Sequence, residues 1–314
     1  MPPANTDFQR QLDRLTDLPS GDADDWKDRY APIIDEVVDH GRPDDPLVSV
    51  IVVGWQSAEF IDQSLRSVDA QEGFDAGDIE LIVVDNGGLE PARGLIERHA
   101  DLEVRMKGNA RLCRARNTGV AYAGGEFVAF VDDDGVLRPD YLERALDYFD
   151  DETVAGVRTR IAHKDHPFFT AFALHYDRGA DPMEDCLVTE GSSVLRRDRY
   201  IAARGFAESL AGHEGIDLTF RLKQVDPDWR ILYIPDAVME HDYFDDWGHF
   251  IDKSFRYSDI EAKVIEERPE IEEFLYDYLD RDFPLPRQTP LQMAVRLLLT
   301  GARFVAGQAA RIAK

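Results

Sequence analysis

From Leu47 onward, short apolar runs alternate with segments of helical spacing. "LVSVIVVGW" is a β-branched run of buried-strand length, and "SAEFIDQSLRSVDAQ" follows it with apolar residues three and four apart. The pattern then repeats: "IELIVVDNGG" predicts a second buried strand, "EPARGLIERHA" a helix, and "LEVRMKG" a third strand. "LCRARNTGVAYAGG" predicts a helix whose terminal glycines suit a C-cap, and "EFVAFVDDDG" a fourth strand. Strands alternating with helices of this length predict an α/β fold with a mostly parallel central sheet and helices on both faces. Such sheets bind ligands beyond the carboxyl ends of their strands. Those ends read "GWQS", "DNGG" and "DDDG", all polar or glycine-rich.

The flanks have a different texture. Residues 1–46 form an acidic N-terminal extension with one amphipathic segment near Ala31–His40, expected to be helical or partly ordered, closed by the Pro43/Pro46 break. After Arg160 the alternation becomes irregular. "DCLVTEGSSVLRRD" suggests an interrupted strand, "EGIDLTFRLKQ" a helix and "WRILYIPDAVMEHD" a further strand or pair. The expected division is therefore an extension at 1–46, a main domain at 47–245, a helical region at 246–287 and a tail at 288–314. That tail has no acidic residue, and it carries Arg296, Arg303, Arg311 and Lys314 among leucines.

Composition narrows the function classes. Against 62 acidic residues stand 36 basic ones, a formal net charge of −26, and only seven of the basic residues are lysine. With no phosphate-neutralising excess, nucleic-acid binding is not expected. An acidic, lysine-poor surface suits a high-salt cytoplasm, where self-repulsion is screened. Two cysteines, Cys113 and Cys186, make no disulfide framework and point to a reducing compartment. No signal-peptide pattern opens the chain and no run of 18 uncharged apolar residues occurs, so no membrane span is expected.

In so acidic a chain, Asp132, Asp133 and Asp134 could be a solvated turn or a helix N-cap. Their place after a fourth strand favours chemistry, because carboxylates at i and i+2 can aim at one ligand, and hard divalent cations take oxygen donors. Asp85 can accept a hydrogen bond from a nucleobase, or simply serve the turn through "DNGG". Arg114 and Arg116 can meet a diphosphate or lie on a solvated helix face. Neither GxGxxG nor GxxxxGK[ST] is present.

The order "VSVIVVGWQSAEFIDQSLRSVDAQ", "IELIVVDNGG", "NARLCRARNTGVAYAGGEFVAFVDDDGVLRPDYLERAL", followed by "EGSSVLRRDRYIAARGFAESL" and "HEGIDLTFRL", resembles the family 2 glycosyltransferases of the GT-A fold. The likeness runs from Leu47 to His241; each motif is weak alone, but their order and spacing are specific. By position, the resemblance implies that Gly54 and Trp55 meet the nucleotide, although the segment departs from the family's PTYN. It implies that Asp85 contacts the base, that Arg116 lies near the diphosphate, and that Asp132 and Asp134 are the Asp-x-Asp pair. Asp132 would then face the ribose or donor sugar, Asp134 a divalent Mg²⁺ or Mn²⁺, and Asp133 would be the variable middle residue. An inverting transferase needs a carboxylate to take the acceptor's proton. The family places it in ED-x-DL, which here reads Glu214, Gly215, Ile216, Asp217, Leu218, so Glu214 is the first candidate and Asp217 the second. His241 falls where related enzymes bring a histidine to the metal or diphosphate; a structural role is the plainer alternative.

The resemblance implies a nucleotide-sugar donor, with UDP-sugars favoured, and transfer of one sugar, since the QxxRW motif of processive synthases is absent. The basic, apolar tail suggests peripheral association with the cytoplasmic face of a membrane and hence a lipid-linked saccharide acceptor, such as a dolichol phosphate glycan. A terminal helix docked on the acidic body is the alternative. The composition together with the family resembles haloarchaeal enzymes that assemble lipid-linked glycans for protein N-glycosylation. Two rivals stay open. A sugar nucleotidyltransferase would carry a GxGTR-type signature that "VVGWQSAE" lacks, and a catalytically degenerate binding protein is favoured by Gly215 at the second acid position.

Overall fold

The computed structural model describes residues 6–15, 18–170, 172–244, 246–256, 260–283 and 288–299. Ten strands build one sheet: β1 (Ile34–Asp39), β2 (Val48–Gly54), β3 (Ile79–Asp85), β4 (Leu102–Met106), β5 (Phe127–Asp132), β6 (Val136–Leu137), β7 (Val154–Ala162), β8 (Met183–Asp185), β9 (Ser192–Arg196) and β10 (Arg230–Glu240). Their order is β1-β4-β3-β2-β5-β9-β7-β10-β6, with β8 also paired to β10. β2, β3, β4 and β5 pair in parallel, as do β7 and β10, and β9 runs antiparallel between the two sets. Six strands thus point the same way, which makes a mostly parallel α/β sheet.

Alternation along the strands explains the layers. Val48, Val50 and Val52 of β2 face a core shared with Ile61, Leu65 and Val68, one stripe of helix Ile61–Asp69. Ile51 faces the opposite core with Ala115 and Val120 of helix Leu112–Tyr122. Gly119 of that helix lies so close to β2 that a Cβ would stand 2.6 Å from the Ile51 side chain. Gly125 does not act as a left-handed cap; a Cβ there would stand 2.6 Å from the Ser49 backbone nitrogen, so it serves close approach to β2.

Two elements depart from the sequence pattern. The segment near Ala31–His40 is helical only over the short 3-10 turn Ala31–Ile33. Its β-branched Ile34, Val37 and Val38 form an edge strand antiparallel to β4, with Asp35, Glu36 and Asp39 along the rim. The preceding helix Asp24–Tyr30 fully buries Trp26 and Tyr30, so residues 18–46 are woven into the domain rather than appended to it. β7 carries Arg158 and Arg160, which conceal it from a hydrophobicity pattern. Arg158 is completely buried, donating to Asp185 at 2.8 Å. "RILYIPDAVME" is one strand, with its register against β7 shifted between Ile234 and Val238 around Pro235. Helices Ile260–Glu267 and Glu272–Leu279 close a third core through Val264, Leu275 and Tyr278, against Ile216 and Leu210. No helix among the described residues is long and apolar enough to cross a membrane.

Candidate active site

β2, β3 and β5 end side by side, Gly54 opposite Asp85 and Val53 opposite Asp132. Their carboxyl ends therefore form one polar edge. Gly54 packs under Leu89, leaving no room for a Cβ, which would stand 2.6 Å from the leucine. Trp55 is 52% exposed just beyond it, so a flat aromatic face stands open at the edge. Asp85 is buried, and one oxygen accepts the Gly87 N–H at 2.9 Å, an Asx turn through "DNGG". Burial pushes its carboxyl up from the ordinary value, against that hydrogen bond. Next to it, Asn86 accepts the Ala110 N–H at 2.8 Å, tying the end of β3 to the start of helix Leu112–Tyr122.

That helix carries both arginines, and they divide. Arg114 turns to the buried Glu208 at 2.6 Å. Arg116 donates to Asp132 Oδ1 at 3.0 Å; burial opposes its charge, but Asp132, Glu190 and Glu214 outweigh it and hold the guanidinium above its usual value. Asp132 in turn fits into a gap left by Gly191, where a Cβ would meet Asp132 Oδ1 at 1.9 Å.

Two residues on, Asp134 Oδ1 lies 3.1 Å from His241 Nε2, while His241 Nδ1 pairs with the Tyr176 hydroxyl at 2.7 Å. Burial opposes both charges, yet the pairing lowers the Asp134 carboxyl and raises the imidazole. Asp133 is no bystander: burial, reinforced by its two neighbours, pushes its carboxyl up to about 6 against the pull of Ser57. A carboxylate paired with an imidazole offers donor types that a divalent cation takes. The fit extends to two ready donors, Asp134 and His241; Asp132 is engaged by Arg116, and among the described residues no three His, Cys, Asp or Glu side chains converge as a preformed cage.

The two candidate bases also divide. Glu214 opens helix Glu214–Val225 behind His213, whose backbone is left-handed (φ 55°), and it lines a cavity of about 720 Å³ with Cys113, Phe244 and Tyr278. Asp217 does not line that cavity. It is fully buried, held by Arg221 at 2.7 Å and Arg268 at 3.2 Å, which is the chemistry of a structural ion pair. Gly215 has a steric cause: a Cβ there would stand 1.7 Å from the Leu187 carbonyl oxygen. A residue that pattern reasoning missed, Glu190, also lines the cavity and accepts the Gly215 N–H at 3.0 Å. The glutamate of "TEGSS" just before β9 was its only signal.

Residues 49–200 match the model of "Glycosyl transferase family 2"; Glu214 and His241 lie beyond that match. Over 182 residues the chain is 32% identical to the pre-mycofactocin glycosyltransferase of Mycobacterium tuberculosis, covering 52% of this chain and 38% of that relative's length. Among solved structures, the mannosyltransferase PcManGT from Pyrobaculum calidifontis, in complex with GDP-Man and Mn²⁺, is similar in fold with a TM-score of 0.57 at 18% identity. That likeness covers 96% of this chain and 81% of the other. TarS 1-349 of S. aureus in complex with UDP-GlcNAc has a TM-score of 0.52 at 18% identity, covering 73% and 71%. Residues 49–200 thus match a glycosyl transferase family 2 domain, and the chain has a GT-A-like α/β fold.

Proposed function

We propose that this chain is an inverting, single-sugar glycosyltransferase that moves a sugar from a nucleoside diphosphate to a hydroxyl of a lipid-linked saccharide. The observation that carries this is the junction of two half-sites. At the strand edge Arg116–Asp132 and Asp134–His241 offer charge for a diphosphate sugar, and Glu214 stands in the cavity beside it. Exposed Trp55 offers a face for the base, beside Asp85 at the same edge. Arg116, fixed by Asp132, is positioned to meet diphosphate oxygens. The acceptor hydroxyl attacks the anomeric carbon as Glu214 takes its proton, and the sugar–phosphate bond breaks with its electron pair leaving on the nucleoside diphosphate. A Mg²⁺ or Mn²⁺ ion held by Asp134 and His241, with Asp132 adjoining, would supply charge neutralisation for that leaving group. A screen of UDP-, GDP- and dTDP-sugars with either metal against lipid-linked acceptors should give nucleoside diphosphate release and a labelled acceptor with one donor. Donor affinity without turnover would favour the non-catalytic binding protein instead.

The membrane part of the proposal rests on the helix over 290–299. Val295 and Leu299 pack on the aromatic cluster of Phe169, Phe244 and Phe250, and Gln292 donates to the Phe168 carbonyl at 3.0 Å. Leu297 and Leu298 are nevertheless 72% and 74% exposed, with Leu291 and Met293 also open. A helix apolar on several faces needs a further apolar neighbour, and arginines on an acidic protein suit anionic headgroups at a cytoplasmic membrane face. The rest of the basic tail, 300–314, lies outside the described residues. Removal of 288–314 should shift the protein from the membrane to the supernatant fraction; undiminished membrane recovery would contradict the association. The acidic composition fits a high-salt cytoplasm, in keeping with glycan assembly in a halophile.

A further inference from the structure

The glycine at 215 removes an acid that the ED-x-DL pattern would supply, and the close approach of Leu187 leaves no room to restore it. The same close approach brings another acid in. The strand-leading segment 187–191 presses its Glu190 onto the first turn of the helix that carries Glu214. The Gly215 N–H donates to Glu190 Oε1 at 3.0 Å, and both glutamates face the same cavity. One residue further, Gly191 makes the gap filled by the Asp132 carboxylate, so Glu190 stands between the donor edge and the cavity.

We propose that Glu190 is the second acid of the site, a positioning residue that holds a proton beside Glu214 and leaves Glu214 to accept the proton of the attacking hydroxyl. The proposal rests on the glycosyl-transfer reading above. The chemistry follows from crowding. Two carboxyls sharing one pocket do not both ionise readily, and burial together with Glu214 pushes the Glu190 carboxyl up to about 8, against the pull of Arg116. A protonated Glu190 keeps the pair at one negative charge. A doubly charged pair would repel an incoming diphosphate. Beside the pair, Arg116 and Cys113 face it from helix Leu112–Tyr122, and His213 from the preceding loop. The same cavity is lined by Arg111, His175, Arg178, Lys253 and Glu261. Burial holds His175 down at about 3, and a substitution at His213 serves as the control for the other histidine beside the pair.

The test is infrared titration of the full chain from about pH 6 to about pH 10, a range above ordinary carboxyl titration, reading the C=O stretch of protonated carboxyl groups. Wild type should lose such a band as pH rises through the Glu190 titration, near pH 8. Glu190→Gln should lack that step and His213→Asn should keep it. Glu214→Gln should move it to lower pH, because the neighbouring charge is gone. In turnover, Glu190→Gln should lose the alkaline fall in kcat/KM that wild type shows. A Glu190→Gln titration superimposable on wild type would overturn the proposal, as would a step that Glu214→Gln leaves in place. These spectra need no turnover, so a wild type inactive with every donor would defeat the transferase reading and still leave the proton pair tested.

Discussion

At the residue scale the two acids of "HEGID" lie three positions apart and face different surroundings. Glu214 faces a cavity, whereas both oxygens of Asp217 are spent on arginines. Removing one member of a buried ion network leaves uncompensated charge, typically costing about 3–5 kcal/mol. Asp217→Asn should therefore lower the unfolding free energy by an amount of that order, read as a lower urea midpoint. If Asp217 were the base instead, the same variant would keep its midpoint and lose turnover. Asp133 shows the reverse lesson, since a residue that composition would treat as surface charge has its carboxyl held up by burial.

At the element scale, apolar periodicity exposed the strands that end at the site. β2, β3 and β5 are continuous apolar runs because both faces are covered, and their ends place Gly54, Asp85 and Asp132 together without further information. The elements that escaped were those whose burial depends on a distant partner. β7 carries Arg158, neutralised by Asp185, 27 residues away, and β1 exists because the β4 edge is there to pair with. Glu190 was hidden for the same reason, since its partner Gly215 lies 25 residues on. The segment around His175 offers a pH test at this scale. Burial, with Arg158 and Arg178 nearby, pushes its imidazole down to about 3, so the folded state refuses a proton that the unfolded chain accepts. Stability from this group is present above the ordinary histidine value and is lost as pH falls from there toward about 3. His175→Phe should flatten the acid side of a stability–pH curve measured by denaturant unfolding; an unchanged slope would show that the imidazole protonates freely.

At the scale of the whole molecule, one buried carboxylate knits the N-terminal segment to the domain. Glu208 accepts from Tyr30 at 2.6 Å, Arg29 at 3.0 Å and Arg114 at 2.6 Å. Glu208→Gln should cost about 3 kcal/mol or more by leaving two arginines short of their counter-charge. It should also speed proteolysis before residue 46, which limited digestion would reveal. The cavity, too, reaches beyond the family match, since its walls come from residues within the match and from the helices that follow it. The most direct measurement of the central claim compares wild type and Glu214→Gln for donor affinity and for nucleoside diphosphate release with a productive donor–acceptor pair. The account predicts unchanged donor affinity and turnover reduced by about 10²–10⁴-fold, the usual worth of a general base. Near-normal turnover by Glu214→Gln would contradict it.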